Sequence, residues 1–283
     1  LWLKKIFKKS HFSLYYTDIL NFYKIGSEIC KKKMNALNKV AAVTLLFWLM
    51  KITATTLGET LGDFISMTLG LGYTAGIGIT LLFFIIIISI QLNAKKYIPV
   101  IYWLVIVGTT TLGTEISDFI DRTLKTGYLM GSLILITGLL TTLFLWYRKY
   151  GNLEIFPVFE RNKEIYYWIA ILFSNSLGTA FGDFLSDNLG YSYLAGAIIT
   201  GVIILIVVVL HYFTRINHVL LFWIAFVFTR PFGATFGDFL TKPIAKGGLN
   251  LSTLYASLVS LALLFLMIII SHRKQKRELS NVD

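Results

Sequence analysis

The chain has 283 residues, 56% of them hydrophobic and 14% charged, with a formal net charge of +11. Soluble domains average about 25% charged residues, so this composition excludes an ordinary water-soluble core. The lysines and arginines fall in short stretches between apolar segments, which argues for a topology signal and against a nucleic-acid surface.

The basic tail, 1–38, mixes lysines with Trp2, Phe7, Phe12, Tyr15, Tyr16 and Phe22, a composition suited to lying on an anionic membrane surface at the cytoplasmic side. It contains no signal-peptide apolar core. An alternative start is Met34, just before the first span, which would remove the tail. Cys30 is the single cysteine, so no disulfide can form within this chain.

From residue 40 onward the sequence predicts eight membrane-spanning helices. Residues 73–92, 128–146, 193–213 and 251–270 are almost wholly apolar and, at about 20 residues each, long enough to cross a hydrocarbon layer of roughly 30 Å. Residues 40–63, 97–118, 165–183 and 217–238 are of similar length but carry polar side chains. The expected fold is all-α, a polytopic membrane protein of eight transmembrane helices arranged as four parallel two-helix repeats. The repeats cover about 39–93, 94–150, 160–213 and 214–271, inside a membrane domain of 39–271 with a cytoplasmic tail at 272–283. If the spans alternate from a cytoplasmic start, 20 of the 26 lysines and arginines fall on the cytoplasmic side and four (Arg122, Lys125, Lys242 and Lys246) on the other. The positive-inside rule then places both termini in the cytoplasm of a bacterial inner (plasma) membrane.

The repeat aligns without gaps through its polar half. Trp48, Trp103, Trp168 and Trp223 are each followed ten positions later by Gly58, Gly113, Gly178 and Gly233, and five further on by Asp63, Asp118, Asp183 and Asp238. A phenylalanine follows every aspartate. The copies start 55, 65 and 55 residues apart, as expected of a unit that doubled twice. Even numbers of spans per copy make the repeats parallel, in a pseudo-fourfold or pseudo-twofold bundle. Tyr73, Tyr128 and Tyr193 continue the pattern in three copies; the fourth departs at Thr241-Lys242-Pro243, where a different turn is expected.

Counted from each tryptophan, polar or small residues recur in steps of three and four, which keeps them on one helical face. Position +7 holds Thr55, Thr110, Asn175 and Arg230; position +11 holds Glu59, Thr114, Thr179 and Ala234; position +14 holds Gly62, Ser117, Gly182 and Gly237. Gly58, Gly62, Gly113, Gly178, Gly182, Gly233 and Gly237 make small-xxx-small patterns that allow close helix packing in lipid. Packing alone requires no carboxylate, whereas a charge in hydrocarbon costs at least about 2.5–3.5 kcal/mol and calls for a partner or a wet cavity. The odd-numbered helices are therefore expected inside and the even ones against lipid.

That inner face would hold six carboxylates, Glu59, Glu115, Asp63, Asp118, Asp183 and Asp238, against Lys51 and Arg230 as counterions. The bland alternative for the four aspartates is a helix-end residue in each hairpin. For Lys51 and Arg230 it is a structural ion pair, set against release of a carboxylate on protonation. The acids, with Asn175, Thr55 and Thr110, suit a hard cation or a proton; the metal, if any, is left unidentified. Soft metals are disfavoured because His11, His211, His218 and His272 lie at the cytoplasmic side. Leu61-Gly62-Asp63-Phe64 matches the Gly-x-Gly-Asp element of intramembrane aspartyl proteases weakly, since Thr60, Glu115, Ala180 and Thr235 stand three before the aspartates. The phosphate-loop, zinc-protease and nucleophile-elbow motifs do not occur, so no enzyme and no cofactor is expected.

Over residues 34–270 the sequence resembles a family of bacterial membrane-anchored proteins built from a repeat of unknown function. The features that carry the likeness are Lys51-Ile52, Thr55-Thr56, Gly58-Glu59-Thr60 and Gly62-Asp63, with the Gly-x4-Asp-Phe core repeated four times. The resemblance implies the repeat architecture and an inner-membrane home, and no activity. The residues themselves suggest a transporter of a cation or small solute with the acidic stripe as its path, proton coupling included. The other function kept open is a non-transporting scaffold or assembly protein packed through its glycines. The expected partners are the lipid bilayer and a hard cation or proton, with no nucleic acid.

Overall fold

The computed structural model describes residues 38–280 and contains helices and no strands among them. The expectations for the basic tail, Cys30, His11 and the Met34 start lie outside the described residues. Eight long helices follow one another: α1 (Leu45–Asp63), α2 (Gly72–Asn93), α3 (Pro99–Asp118), α4 (Tyr128–Tyr150), α5 (Arg161–Asp183), α6 (Tyr193–Phe213), α7 (His218–Thr241) and α8 (Thr253–Ser280). Local sequence sets their ends. Thr44, Ser192 and Asn217 cap α1, α6 and α7 with side-chain oxygens that accept from Phe47, Ala195 and Val219. Pro99 opens α3, and Gly151, at φ 72°, ends α4 in the left-handed region open to glycine.

Six of these helices, α2, α3, α4, α6, α7 and α8, are long and apolar enough to cross a membrane. Several such helices in one chain make a multi-pass membrane protein the reading of the fold. α1 and α5 fall short of that hydropathy because of the polar and ionisable residues they carry, yet they pack beside α3 and α7 as equals. α8 runs on to Ser280, so helix continues into the segment expected as a tail.

The odd helices form a closed ring in the order α1, α3, α5, α7 and back to α1. The even helices stand outside it and leave most of their surface uncovered, with 22–28% of their apolar stretches buried against 78% in α3 and 61% in α7. Each even helix lies against the odd helix of the next copy: α2 on α3, α4 on α5, α6 on α7, and α8 back on α1. The sequence repeat is thus a helical hairpin in chain order only. The packed pair straddles two copies, and the last copy completes the first.

Glycines set the ring contacts. A Cβ on Gly58 would collide with Thr110, one on Gly113 with Asn175 and Ser176, one on Gly178 with Arg230 and Pro231, and one on Gly233 with Thr55. The glycine at position +10 of every copy therefore receives the side chain at position +7 of the next, and the fourth contact closes the cycle. Thr55 and Thr110 serve these crossings: their hydroxyls donate to the carbonyls of Thr229 (3.3 Å) and Ala54 (3.2 Å). That corrects their placement on the acidic path, because a helix meeting a glycine groove turns its +7 side chain toward the neighbour.

The repeated tryptophans stack the aromatic residue before them onto the next copy. Phe47 lies 5.6 Å from Trp103, Tyr102 5.4 Å from Trp168, and Phe222 5.5 Å from Trp48, between ring centroids. At the remaining junction Trp146 of α4 inserts between Tyr167 and Trp223. Tyr102 and Tyr167, both buried, share a hydrogen bond of 2.5 Å. Aromatic side chains thus fill this end of the ring.

At the opposite end three copies finish alike. A short π-helical turn follows the aspartate in each: Phe64–Thr68, Phe119–Thr123 and Phe184–Asn188. In the fourth copy α7 continues to Thr241 and a 3-10 turn, Ile244–Lys246, takes its place. Pro243 has no amide hydrogen and stops the helix there.

Candidate functional site: a buried charge network on the ring axis

Arg230, on α7, reaches every other inner helix. Its Nη2 lies 2.8 Å from Glu59 Oε2 on α1, 2.5 Å from Thr114 Oγ1 on α3 and 2.6 Å from Thr179 Oγ1 on α5. Those three acceptors occupy position +11 in the other three copies. Ala234, at the same position in the fourth, leaves room for the chain of Arg230 itself. The arginine is fully buried and forms an ion pair with Glu59, which is 3% exposed. A guanidinium therefore bars the axis at mid-depth.

Closer to the tryptophans, Lys51 donates to Asn175 Oδ1 across the ring at 2.9 Å and stands 4.1 Å from the ring centre of Phe226. Asn175 in turn donates to Thr109 (3.0 Å). Among the described residues Lys51 has no carboxylate partner, so the structure corrects its assignment as a counterion. It is held by an amide oxygen and an aromatic face.

The four aspartates line up beyond Arg230 and all are buried. They form two couples, each spanned by one base. Arg122 pairs with Asp118 (3.1 Å) of its own copy and Asp183 (3.2 Å) of the next. Lys242 pairs with Asp238 (3.4 Å) of its own copy and Asp63 (2.6 Å) of the first. Both bases stand at position +19 from a repeat tryptophan, one helical turn beyond the aspartate; Met67 and Asp187 occupy the same place in copies one and three. The site is twofold where the glycine crossings are fourfold.

From sequence alone Arg122 and Lys242 read only as loop charges. The signal that could have found them is their i+4 spacing from Asp118 and Asp238, which puts base and acid on one helical face. Burial opposes the charge on Lys242, but Asp238 and Asp63 outweigh it and push its pKa up, so the ammonium stays charged. Tyr73 and Tyr128 flank Arg122, the first accepting a hydrogen bond from it at 3.4 Å.

Glu115 is not on the axis. It points outward from α3 to α2, where a Cβ on Gly76 would meet its carboxylate at 2.5 Å, and neither of its oxygens has a hydrogen-bond partner among the described residues. This corrects its place in the inner stripe. Position +12 lies about 100° around the helix from +11, so it faces the outer layer. Copies one and four use that position alike: Ser257 of α8 donates to Thr60 (2.9 Å), and Gly196 of α6 receives Thr235.

The axis thus holds five buried carboxylates, Glu59 and the four aspartates, against Arg230, Arg122 and Lys242. Glu59, Asp63 and Asp238 offer oxygens that all lie within 4.8 Å of one another, a set able to surround a hard cation. The ammonium of Lys242 already serves two of the three.

Four segments of the chain, residues 46–97, 101–151, 166–217 and 221–277, match the model of one protein family, the Repeat of Unknown Function (DUF347). No curated protein and no solved structure matches the chain. Each matched segment carries one of the four repeat tryptophans, one crossing glycine and one axial aspartate. The four segments together account for most of its length, and the chain belongs to the DUF347 repeat family.

Proposed function

We propose that the chain is a transporter of a cation or small solute, set in a bacterial inner (plasma) membrane with eight spans and both termini cytoplasmic. The observation that carries this reading is the reach of Arg230 to Glu59, Thr114 and Thr179. Helices gathered only for packing would fill the ring centre with apolar side chains. A buried ion pair does not improve on such a core, being often no more stabilising than hydrophobic residues of the same volume.

The axis supplies the elements of a path. The aspartate end carries more carboxylates than bases, which draws cations to it. Lys242 stands in for a cation between Asp63 and Asp238, and a cation binding there displaces the ammonium. Arg230 closes the way onward, and the aromatic layer of Phe47, Tyr102, Tyr167 and Phe222 closes the other end. Breaking the ion pair between Glu59 and Arg230 frees the guanidinium to leave the axis, and proton coupling is part of the proposal. Four equivalent aspartates tied up as two ion-paired couples favour this reading over an enzyme.

The scaffold reading draws on a different observation, the collision that a Cβ at each crossing glycine would cause. Purified protein in liposomes separates the two. Cation-dependent flux or internal pH change that is lost in Asp63→Asn and Asp183→Asn supports transport. Absence of flux for a panel of monovalent and divalent cations and protons, with unchanged folding after all four Asp→Asn changes, supports the scaffold.

A further inference from the structure

We propose that the groove between α2 and α5 is a binding site for an anionic phospholipid, its phosphate held at Lys95 and Arg161 and one acyl chain laid along the groove. The inference does not depend on transport. It rests on the reading of the chain as membrane-spanning.

Two cavities meet at Leu92. The first, of 390 Å³, is lined by Lys39, Lys95 and Arg161 among others, at the tryptophan end of the bundle. The second, of 110 Å³, is lined wholly by apolar side chains: Phe84, Ile88 and Leu92 of α2 face Ile165, Ile169 and Leu172 of α5, with Trp168 at the floor. Leu92 lines both, so the polar chamber and the apolar groove adjoin.

The dimensions suit one lipid tail. Phe84, Ile88 and Leu92 recur at every fourth position on one helical face, and the two turns of helix between the ends span about 12 Å. One leaflet of the hydrocarbon layer is about 15 Å deep. The groove exists because α2 leans chiefly on α3 and only brushes α5, which leaves a seam beside the ring.

The charges at the mouth select the head group. Lys39 is neutralised by Glu164 and also donates to the carbonyl of Leu92 at 3.1 Å, so it shapes the chamber without a free charge. Lys95 and Arg161 are exposed and, among the described residues, form no ion pair. Lys96 and Lys163 add to the positive field and Glu160 subtracts from it. α5 begins at Arg161, so its positive dipole end lies at the same mouth. Basic pockets between helices at this side of a membrane suit anionic head groups. The segment 1–37 carries eight lysines and two acids, the same sign of charge as the mouth.

Native mass spectrometry of the full chain in detergent tests the site, using phosphatidylglycerol and phosphatidylcholine with identical acyl chains and glycerol phosphate as the head group alone. The expected result is at least tenfold tighter retention of phosphatidylglycerol, unaffected by glycerol phosphate. Lys95→Gln with Arg161→Gln removes the preference at unchanged melting temperature, and Ile169→Trp, which fills the groove, weakens phosphatidylglycerol binding. Equal retention of the two lipids, or a preference that survives the double substitution, overturns the site. Competition by glycerol phosphate shows a phosphate site without a tail and overturns the lipid. Loss of the preference on deleting residues 1–33 assigns it to that segment instead. Flotation with liposomes keeps the premise separate: protein that floats but shows no preference refutes the lipid site alone, and protein that does not float refutes the membrane reading.

Discussion

Gly233 on α7 has no side chain where Thr55 of α1 crosses it, and a Cβ there would fall on the threonine hydroxyl. The same contact joins Gly58 to Thr110 of the copy that follows it in sequence, while Gly233 and Thr55 are separated by most of the chain. Ring closure therefore repeats a local rule at long range, and the ring needs the fourth copy as much as the first.

The crossings should answer sharply to one methyl group. Gly58→Ala, Gly113→Ala, Gly178→Ala and Gly233→Ala are each expected to lose about 1–3 kcal/mol, the usual cost of overpacking. Gly78→Ala, in α2 with nothing within 4 Å of the added Cβ, should be neutral or gain up to about 1 kcal/mol from helix propensity. Thermal unfolding in one detergent ranks the five variants, and equal losses at Gly78 and the crossings would refute the close-approach account.

Arg230 and Glu59 make a case for a double-mutant cycle. Arg230→Met leaves Glu59 charged and buried without its partner, for an expected loss of about 3–5 kcal/mol. Adding Glu59→Gln should recover most of it, since the orphaned charge is gone. Unfolding measurements that find the two losses additive would show that the pair, 2.8 Å apart, is not coupled.

The twofold pattern of bases yields a rescue experiment. Lys242→Met should cost about 1–3 kcal/mol by leaving Asp63 and Asp238 without their shared donor; Lys242 keeps some contact with water, so the loss is smaller than at Arg230. The sulfur of Met67, at the equivalent position of copy one, lies 3.8 Å from the Lys242 ammonium. Met67→Lys in the Lys242→Met background places a base near the same carboxylates and should restore more than half of the loss. A double variant no more stable than Lys242→Met alone would show that the position of the base, and not its charge, matters.

The repeat, the helices and the inner position of α1, α3, α5 and α7 were legible in the sequence, because Trp, Gly and Asp recur at one helical phase and the intervening helices are almost uniformly apolar. The aspartate layer was legible as a set but not as two couples. Arg122 and Lys242 looked like turn charges because they stand after the spans, and only the extra turn of helix beyond each aspartate brings them back over the axis. Glu115 was misplaced for a related reason: a stripe on a helical wheel is broad, and a single step of offset turns a side chain from the ring centre to the outer layer, whereas Lys51 does face the ring but meets an amide oxygen and not a carboxylate.

By itself the sequence determined which residues are helical, how the copies align and where the small residues fall, since these follow from local chemistry repeated four times. Tertiary structure alone decided which copy each helix packs against, that α8 returns to α1, and that Arg230 and not Lys51 meets the carboxylate of Glu59. Those outcomes depend on how four helices close into a ring, and closure brings together side chains that no local spacing relates.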